Sequence, residues 1–254
     1  MFGGSVHRMR VYRGQVIRRF LRGHGIELIK TPHLGDFLRS RDCDLVVDVG
    51  ATLGQFGRQV REFGYRGNLI SFEPIAGVHA ALQHTAADDP AWQVLRLALG
   101  REAGTADINI SYDSSFSSIK PLASGAVEMF DIARVQSVER VPVERLDDVL
   151  RGRAEQRLFL KIDTQGYEQE VLAGAAETLE KCIGLLIELP VKQLYQGTWD
   201  FPEAIRYFDA LGFEPAQIRP VSQVSSDPVC TVEFDCLFCR KDKVRAPAVQ
   251  ARAA

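Results

Sequence analysis

Apolar positions along this chain fall into two alternating rhythms. Short apolar runs closed by Gly, Pro, Asp or Asn predict buried strands at 45–49, 68–72, 92–97, 158–162 and 183–189. Between them, apolar residues recur at helical spacing. Helices are predicted at 55–63, closed by Gly64, at 75–85, broken by the Asp-Asp-Pro of 88–90, at 167–179 and at 201–211, ended by Gly212. In the 167–179 segment, Glu168, Val171, Leu172, Ala175 and Leu179 share one face. Residues 106–110 and 138–143 read as additional extended segments. The Ser-rich stretch 111–135 between them has weak helical character. Two late strands, 213–218 and 231–239, lack an intervening helix and predict an antiparallel hairpin at one edge. Strands alternating with helices imply βαβ units, a mostly parallel sheet and helices on both of its faces. In such α/β folds ligands bind beyond the carboxyl ends of the strands, where strand order reverses.

The amino-terminal segment has a different pattern. Residues 1–30 hold seven basic residues (Arg8, Arg10, Arg13, Arg18, Arg19, Arg22, Lys30) against one acid, Glu27. Met9, Val16, Ile17, Phe20 and Leu21 recur at helical spacing, so the segment reads as a basic amphipathic helix. Its apolar side is expected to pack on the domain or on a second subunit. Peripheral contact with an anionic lipid surface, or with a lipid-linked or phosphorylated substrate, is the alternative. The organisation expected is a basic helical arm over 1–40, one domain over 41–241 and a flexible tail over 242–254.

Composition narrows the class. A 254-residue chain with 46% hydrophobic and 25% charged residues suits one large α/β domain. A net charge of −2 gives no case for nucleic-acid binding. No apolar stretch approaches the roughly 20 residues of a membrane span, and the amino terminus lacks the features of a secretory signal. Five scattered cysteines (Cys43, Cys182, Cys230, Cys236, Cys239) read as reduced thiols in a cytoplasmic protein. A zinc site among the last three is rejected, because zinc takes four ligands and Cys236 and Cys239 fall on opposite faces of a strand.

The strand ends carry the candidate chemistry. After the first strand come Asp48, Gly50, Ala51, Thr52 and Gly54. The glycines permit a tight turn and close helix packing, the free N–H groups of the helix start favour an anion, and Thr52 is available as a cap. Asp48 is an acceptor suited to an ammonium group or a bound water. Together these suit the amino-acid end of S-adenosylmethionine better than a pyrophosphate. The Gly-x-Gly-x-x-Gly dinucleotide fingerprint and the Walker loop are both absent. The second strand ends in Phe72-Glu73-Pro74, where Glu73 is placed to accept from both ribose hydroxyls and Pro74 starts the next helix. The strand at 158–162 carries Lys161 and leads into Asp163, on the same side by alternation, and Glu188 ends the following strand. Asp163, Glu188 and Lys161 are therefore expected to converge at one rim, with Lys161 paired to an acid to offset its burial. An ion-pair cluster bracing the sheet end is the structural alternative.

"VVDVGATLGQF", "SFEP", "VPVERLDDVL", "LFLKIDTQGYEQEVLAGA" and "LIELPVKQLYQGTWDFPEAIRYFDALGF" together resemble the FkbM family of S-adenosylmethionine-dependent methyltransferases over roughly 44–240. The Lys-Ile-Asp-x-Gln-Gly-Tyr-Glu segment is the most distinctive part. The resemblance implies a Rossmann-like class I methyltransferase fold, seven-stranded with an antiparallel last strand. It also implies methylation of hydroxyls on sugars of glycolipids, polysaccharides or secondary metabolites, or on macrolide-type compounds. Asp48, Gly50, Gly54 and Glu73 carry over to the cofactor; Asp163, Glu168 and Glu188 carry over as motif residues. Thr52 stands where the family often has Asn.

A sugar hydroxyl needs help to lose its proton. Asp163 is the favoured base, with Glu188 and Lys161 beside it. A divalent ion between Asp163 and Glu188 is an option, but two carboxylates do not define a site and no metal is predicted. The histidines (His7, His24, His33, His79, His84) read as solvated, with His33 a minor candidate. In "SYDSSFSSIKP", Tyr112, Phe116, Ser117 and Ser118 are expected to touch cofactor or acceptor. Tyr195 and Trp199 are expected either to stack on a sugar or to fill the core edge. N-methylation, carboxyl methylation of a small acid, and a non-catalytic cofactor-fold subunit stay open as alternatives. The acceptor is expected to be a small molecule or glycolipid, and a homodimer is allowed.

Overall fold

The computed structural model describes residues 19–24, 26, 32–224 and 227–243. The chain divides into two compact units, Met1–His33 and Leu34–Ala254. In the first, residues 19–23 are helical and the His24 ring packs 4.5 Å from that of the exposed Phe20. Most of the expected basic helix, and the tail beyond 243, lie outside the described residues.

The second unit runs α1 (Leu34–Ser40), β1 (Leu45–Val49), α2 (Gln55–Glu62), β2 (Asn68–Phe72), α3 (Ala76–Ala86), β3 (Trp92–Leu95), β4 (Ala98–Leu99) and β5 (Gly104–Ser111). Then follow α4 (Ala126–Met129), β6 (Val135–Glu144), α5 (Leu146–Val149), β7 (Leu158–Ile162), α6 (Glu168–Ala173), α7 (Ala176–Lys181) and β8 (Cys182–Pro190). α8 (Phe201–Ala210), β9 (Phe213–Val224) and β10 (Asp227–Arg240) complete it. Helix α1 falls on the arm side of the expected boundary at residue 40. It nevertheless buries Phe37 and Leu38 in the core of this unit, the Phe37 ring 5.6 Å from Phe159.

Seven strands form the main sheet in the order β3-β2-β1-β7-β8-β10-β9. All pairings are parallel except those of β10, which runs antiparallel to both β8 and β9. The expected hairpin is present and longer than its apolar pattern suggested, because β9 continues beyond Ile218 to Val224 through mostly exposed residues. β1 and β7 are fully buried along their length, as strands covered on both faces must be. Cys236 and Cys239 fall in different core clusters, one on each face.

Two segments differ from expectation. The run at 92–97 leaves the sheet after Leu95, and Ala98–Leu99 joins β5 and β6 in a separate three-stranded sheet, order β4-β6-β5. The helix read across 167–179 is two helices broken at Gly174 and Ala175. The break follows from tertiary contact: a Cβ at Gly174 would lie 2.0 Å from the Gly100 carbonyl oxygen.

The chain passes from β1 outward to β2 and β3, then returns across β1 to β7. Strand order therefore reverses between β1 and β7, and the carboxyl ends of β1, β2, β7 and β8 open on the same rim.

Candidate functional site at the strand ends

A cavity of about 510 Å³ opens above that rim, within the range of small-molecule sites. One side is walled by Gly50, Ala51, Thr52 and Gln55 after β1, by Glu73, Pro74 and Ile75 after β2, and by Leu97, Ala98, Leu99 and Ile108. The other side carries Lys161, Asp163, Gln165, Glu188, Ser222, Glu233 and Asp235, and residues Ser114–Ser117 overhang it.

Gly50 holds the turn close to β7. Its φ is +73°, and a Cβ there would lie 1.8 Å from the Asp163 carbonyl oxygen. Thr52 follows at φ +45°, a costly backbone for a β-branched residue. Two contacts hold it: its N–H donates to Glu73 Oε2 at 3.0 Å, and its hydroxyl donates to Gln55 Oε1 at 2.9 Å. The expected cap is not formed; the cap position belongs to Gly54, and no side chain bonds it. Gly54 does not line the cavity but packs toward Leu82 and Trp92.

Glu73 lines the cavity at 3% exposure, with Oε1 accepting from Ile75 N–H at 2.9 Å. Burial pushes its carboxyl up to about 7 although these two N–H donors pull it down.

Asp48 was expected to face a ligand; it does not line the cavity. It is fully buried and lies under the rim, off the cavity wall. Strand register places it between Ser71 and Lys161, its partners on β2 and β7. Ser71 Oγ donates to Asp48 Oδ2 at 3.2 Å and accepts from Trp92 Nε1 at 2.9 Å. Lys161 Nζ stands 3.3 Å from Asp48 Oδ1 and 3.5 Å from Asp163 Oδ2, and donates to the Gly50 carbonyl at 2.8 Å. Burial alone would lower the lysine; Asp163, Asp48 and Glu188 outweigh it and raise it. Burial raises Asp48, and the lysine charge opposes that.

Asp163 and Glu188 converge as expected, through a residue the sequence reading passed over. The amide nitrogen of Gln165 donates to Asp163 Oδ1 at 2.8 Å and to Glu188 Oε2 at 2.9 Å. Its oxygen accepts from the Tyr195 hydroxyl at 2.8 Å. Gln165 has φ +57°; it and Thr52 both line the cavity. Glu168 braces this turn, accepting at one oxygen from Thr164 N–H, Thr164 Oγ and Gly166 N–H. Burial and the neighbouring charges of Asp163, Glu233 and Asp235 raise Glu188 well above the usual carboxylate range. Glu233 is raised by burial, then by Asp163, to about 7, and accepts from Ser222 Oγ at 3.2 Å. Glu233 and Asp235 were missed. They alternate along β10, whose place beside β8 no local pattern discloses.

The remaining candidates sort clearly. Phe116 and Ser117 line the cavity, with Ser117 Oγ accepting from Ser111 N–H. Ser118 does not line it, and donates instead to the Gln165 carbonyl at 2.6 Å. Tyr112 is 72% exposed and off the wall. Trp199 fills the core beside Tyr207 and Phe208; Tyr195 is buried behind Gln165. Among the described residues no histidine lines the cavity, and no cluster of three or more metal-type ligands is present. The space between Asp163 and Glu188 holds the Gln165 N–H donor.

Residues 48–215, well over half of the chain, match the family described as Methyltransferase FkbM domain. The chain belongs to the FkbM methyltransferase family. It is an S-adenosylmethionine-dependent methyltransferase by that membership. Glu233 and Asp235 lie beyond the matched segment. No curated protein sequence matches. Among solved structures, an rRNA methylase from Streptococcus thermophilus is similar at 13% identity and TM-score 0.42, covering 84% of this chain and 98% of its own. Magnesium protoporphyrin IX methyltransferase from Synechocystis PCC 6803, solved with bound S-adenosylmethionine, is similar at 10% identity and TM-score 0.43, covering 89% and 96%. Likeness at this level identifies no acceptor for the FkbM domain. Among its described residues no helix is long and apolar enough to cross a membrane.

Proposed function

We propose that this protein transfers a methyl group from S-adenosylmethionine to a hydroxyl of a sugar or polyketide-like acceptor, free or as part of a glycolipid. The observation that supports it is one continuous cavity, with Glu73 and the Gly50 turn on one wall and a joined pair of carboxylates on the other.

The residues present fit the donor. Gly50, Ala51 and Thr52 give a close backbone approach, Glu73 offers a carboxylate to the ribose, and Pro74, Ile75, Leu97 and Ile108 give an apolar wall for a flat heterocycle. Bound there, the sulfonium supplies an activated methyl whose carbon–sulfur electrons leave with sulfur. The protein's part is alignment, worth ~7–11 kcal/mol at best, and removal of the acceptor's proton. Glu188 and Asp163 take that role. Glu188, raised by burial, is matched to proton transfer nearer neutral pH than an ordinary carboxylate.

The excess of acids on this wall favours a second reading, in which the acceptor atom is an amine nitrogen. Peripheral membrane contact and a second subunit remain proposals for the basic segment, most of which lies outside the described residues.

The deciding experiment incubates the full chain with methyl-labelled S-adenosylmethionine and an extract of its source cell, with and without chelator, followed by mass analysis. An oxygen-linked methyl stable to mild base is the expected product. A base-labile ester or an N-methyl product overturns the hydroxyl assignment, and no transfer overturns the acceptor class altogether.

A further inference from the structure

We propose that Gln165 is the positioning residue of the acceptor side: its side-chain amide joins the two carboxylates to each other and, through Tyr195, to the loop at the cavity mouth, while Ser118 ties that loop to its backbone carbonyl. This rests on the reading above for its catalytic meaning, and on geometry for its existence.

The geometry is specific to glutamine. The Nε2 group has two hydrogens, and it has two acceptors, Asp163 Oδ1 at 2.8 Å and Glu188 Oε2 at 2.9 Å. The amide cannot be turned over without placing its oxygen against two carboxylates. Tyr195 enforces the same orientation by donating to Oε1 at 2.8 Å. Glutamate at this position would add a third carboxylate. Asparagine is one methylene shorter.

The same residue reaches the overhanging loop twice. Ser118 Oγ donates to the Gln165 carbonyl at 2.6 Å, and Lys120 N–H donates to that hydroxyl at 2.9 Å. The Tyr195 hydroxyl also lies 3.0 Å from the Phe116 carbonyl, so one proton is shared between the loop and the amide. The left-handed backbone of Gln165, braced by Glu168 beneath, is what aims the side chain back across the strand ends.

The consequence is a division of labour. Asp163 is pinned at both oxygens, by Gln165 and by Lys161. Glu188 is held at one, and among the described residues its Oε1 receives no hydrogen bond. Glu188 is thereby the carboxylate left able to take the acceptor's proton, with Asp163 fixing the charge beside it. The titratable and charged groups that face Glu188 are Asp163, Glu233, Asp235, Glu168, Lys161 and Tyr195.

The test reads the carboxyls directly in the full chain, carrying carboxyl-labelled Asp and Glu, by carbon NMR across pH. Losing a donor that favours the charged form raises the Glu188 midpoint. Gln165→Met should move Glu188 up by about one pH unit, and Tyr195→Phe, which keeps the amide and frees its orientation, by a smaller amount in the same direction. Midpoints unchanged in both variants overturn the proposal. So does a Tyr195→Phe effect without a Gln165→Met effect. Calorimetric titration with S-adenosylmethionine is the separate arm: affinity in Gln165→Met should stay within about twofold, and a larger loss assigns Gln165 to the donor side and overturns the positioning role. Absence of binding by the unaltered chain overturns the donor-site reading instead, and is distinguishable because the carboxyl titration needs no donor.

Discussion

The Gly50 α-carbon faces the backbone carbonyl of Asp163 so closely that a Cβ at position 50 would lie 1.8 Å from that oxygen. The turn after β1 and the turn after β7 are thus built as one piece. The residue meant to meet the donor and the residue meant to meet the acceptor share a single backbone contact. Lys161 reinforces it from below, donating to the Gly50 carbonyl while standing beside Asp163.

Gly50→Ala tests that contact. The change adds an atom where none fits and requires φ +73° of a residue with a side chain. Overpacking costs about 1–3 kcal/mol and the left-handed backbone roughly 1–2 kcal/mol. The expected outcome is about 3 kcal/mol lost in urea unfolding, with S-adenosylmethionine affinity reduced at least tenfold by calorimetry. Near-native stability and binding would show that the two turns move independently.

Asp48 and Lys161 form a buried pair on adjacent strands, 3.3 Å apart. Lys161→Met leaves a fully buried carboxylate without its cation and is expected to cost about 3–5 kcal/mol. The double variant Asp48→Asn/Lys161→Met removes both charges and should recover much of that loss. Denaturant unfolding of the two single variants and the double closes the cycle. If the losses simply add, the two side chains are not coupled and Asp48 needs another explanation.

The strand ends were legible because a charged residue stands out in an apolar run: Glu73 and Asp163 directly follow a strand, Glu188 lies near the end of another, and each reaches the cavity. That Lys161 pairs with an acid also followed from the cost of burying it alone. What period could not reveal is depth. Asp48 alternates like a rim residue, but its register partners, Ser71 and Lys161, enclose it within the sheet. Gln165 was illegible for another reason. It is uncharged, sits in a turn, and acquires its role from a left-handed backbone and from a tyrosine thirty positions later in the chain. Glu233 and Asp235 depend on β10 inserting between β8 and β9, a long-range pairing. The family resemblance foretold an antiparallel last strand; no local pattern placed these two side chains at the cavity.

Glu73 gives the pH prediction. Its carboxyl lies at about 7 in the folded chain, raised from the ordinary carboxylate value by burial. For an acid raised on folding, the stabilising contribution is complete below the unfolded value and is lost as pH rises through about 7. Stability should therefore fall between about pH 5 and pH 7 in this term. Donor binding runs the other way. Ribose hydroxyls donate to the charged carboxylate and favour it, so binding releases a proton wherever Glu73 is protonated. Affinity for S-adenosylmethionine should rise from pH 6 to pH 8, with most of the gain complete just above pH 7, approaching tenfold per pH unit at the acid end. In Glu73→Gln this component disappears, and affinity stays low across the range because the amide offers only one acceptor for Thr52, Ile75 and the ribose together. Calorimetry at pH 6, 7 and 8 in buffers of differing ionisation enthalpy measures both the affinity and the proton released. A flat profile in the unaltered chain, or a slope surviving intact in Glu73→Gln, removes Glu73 from the donor site.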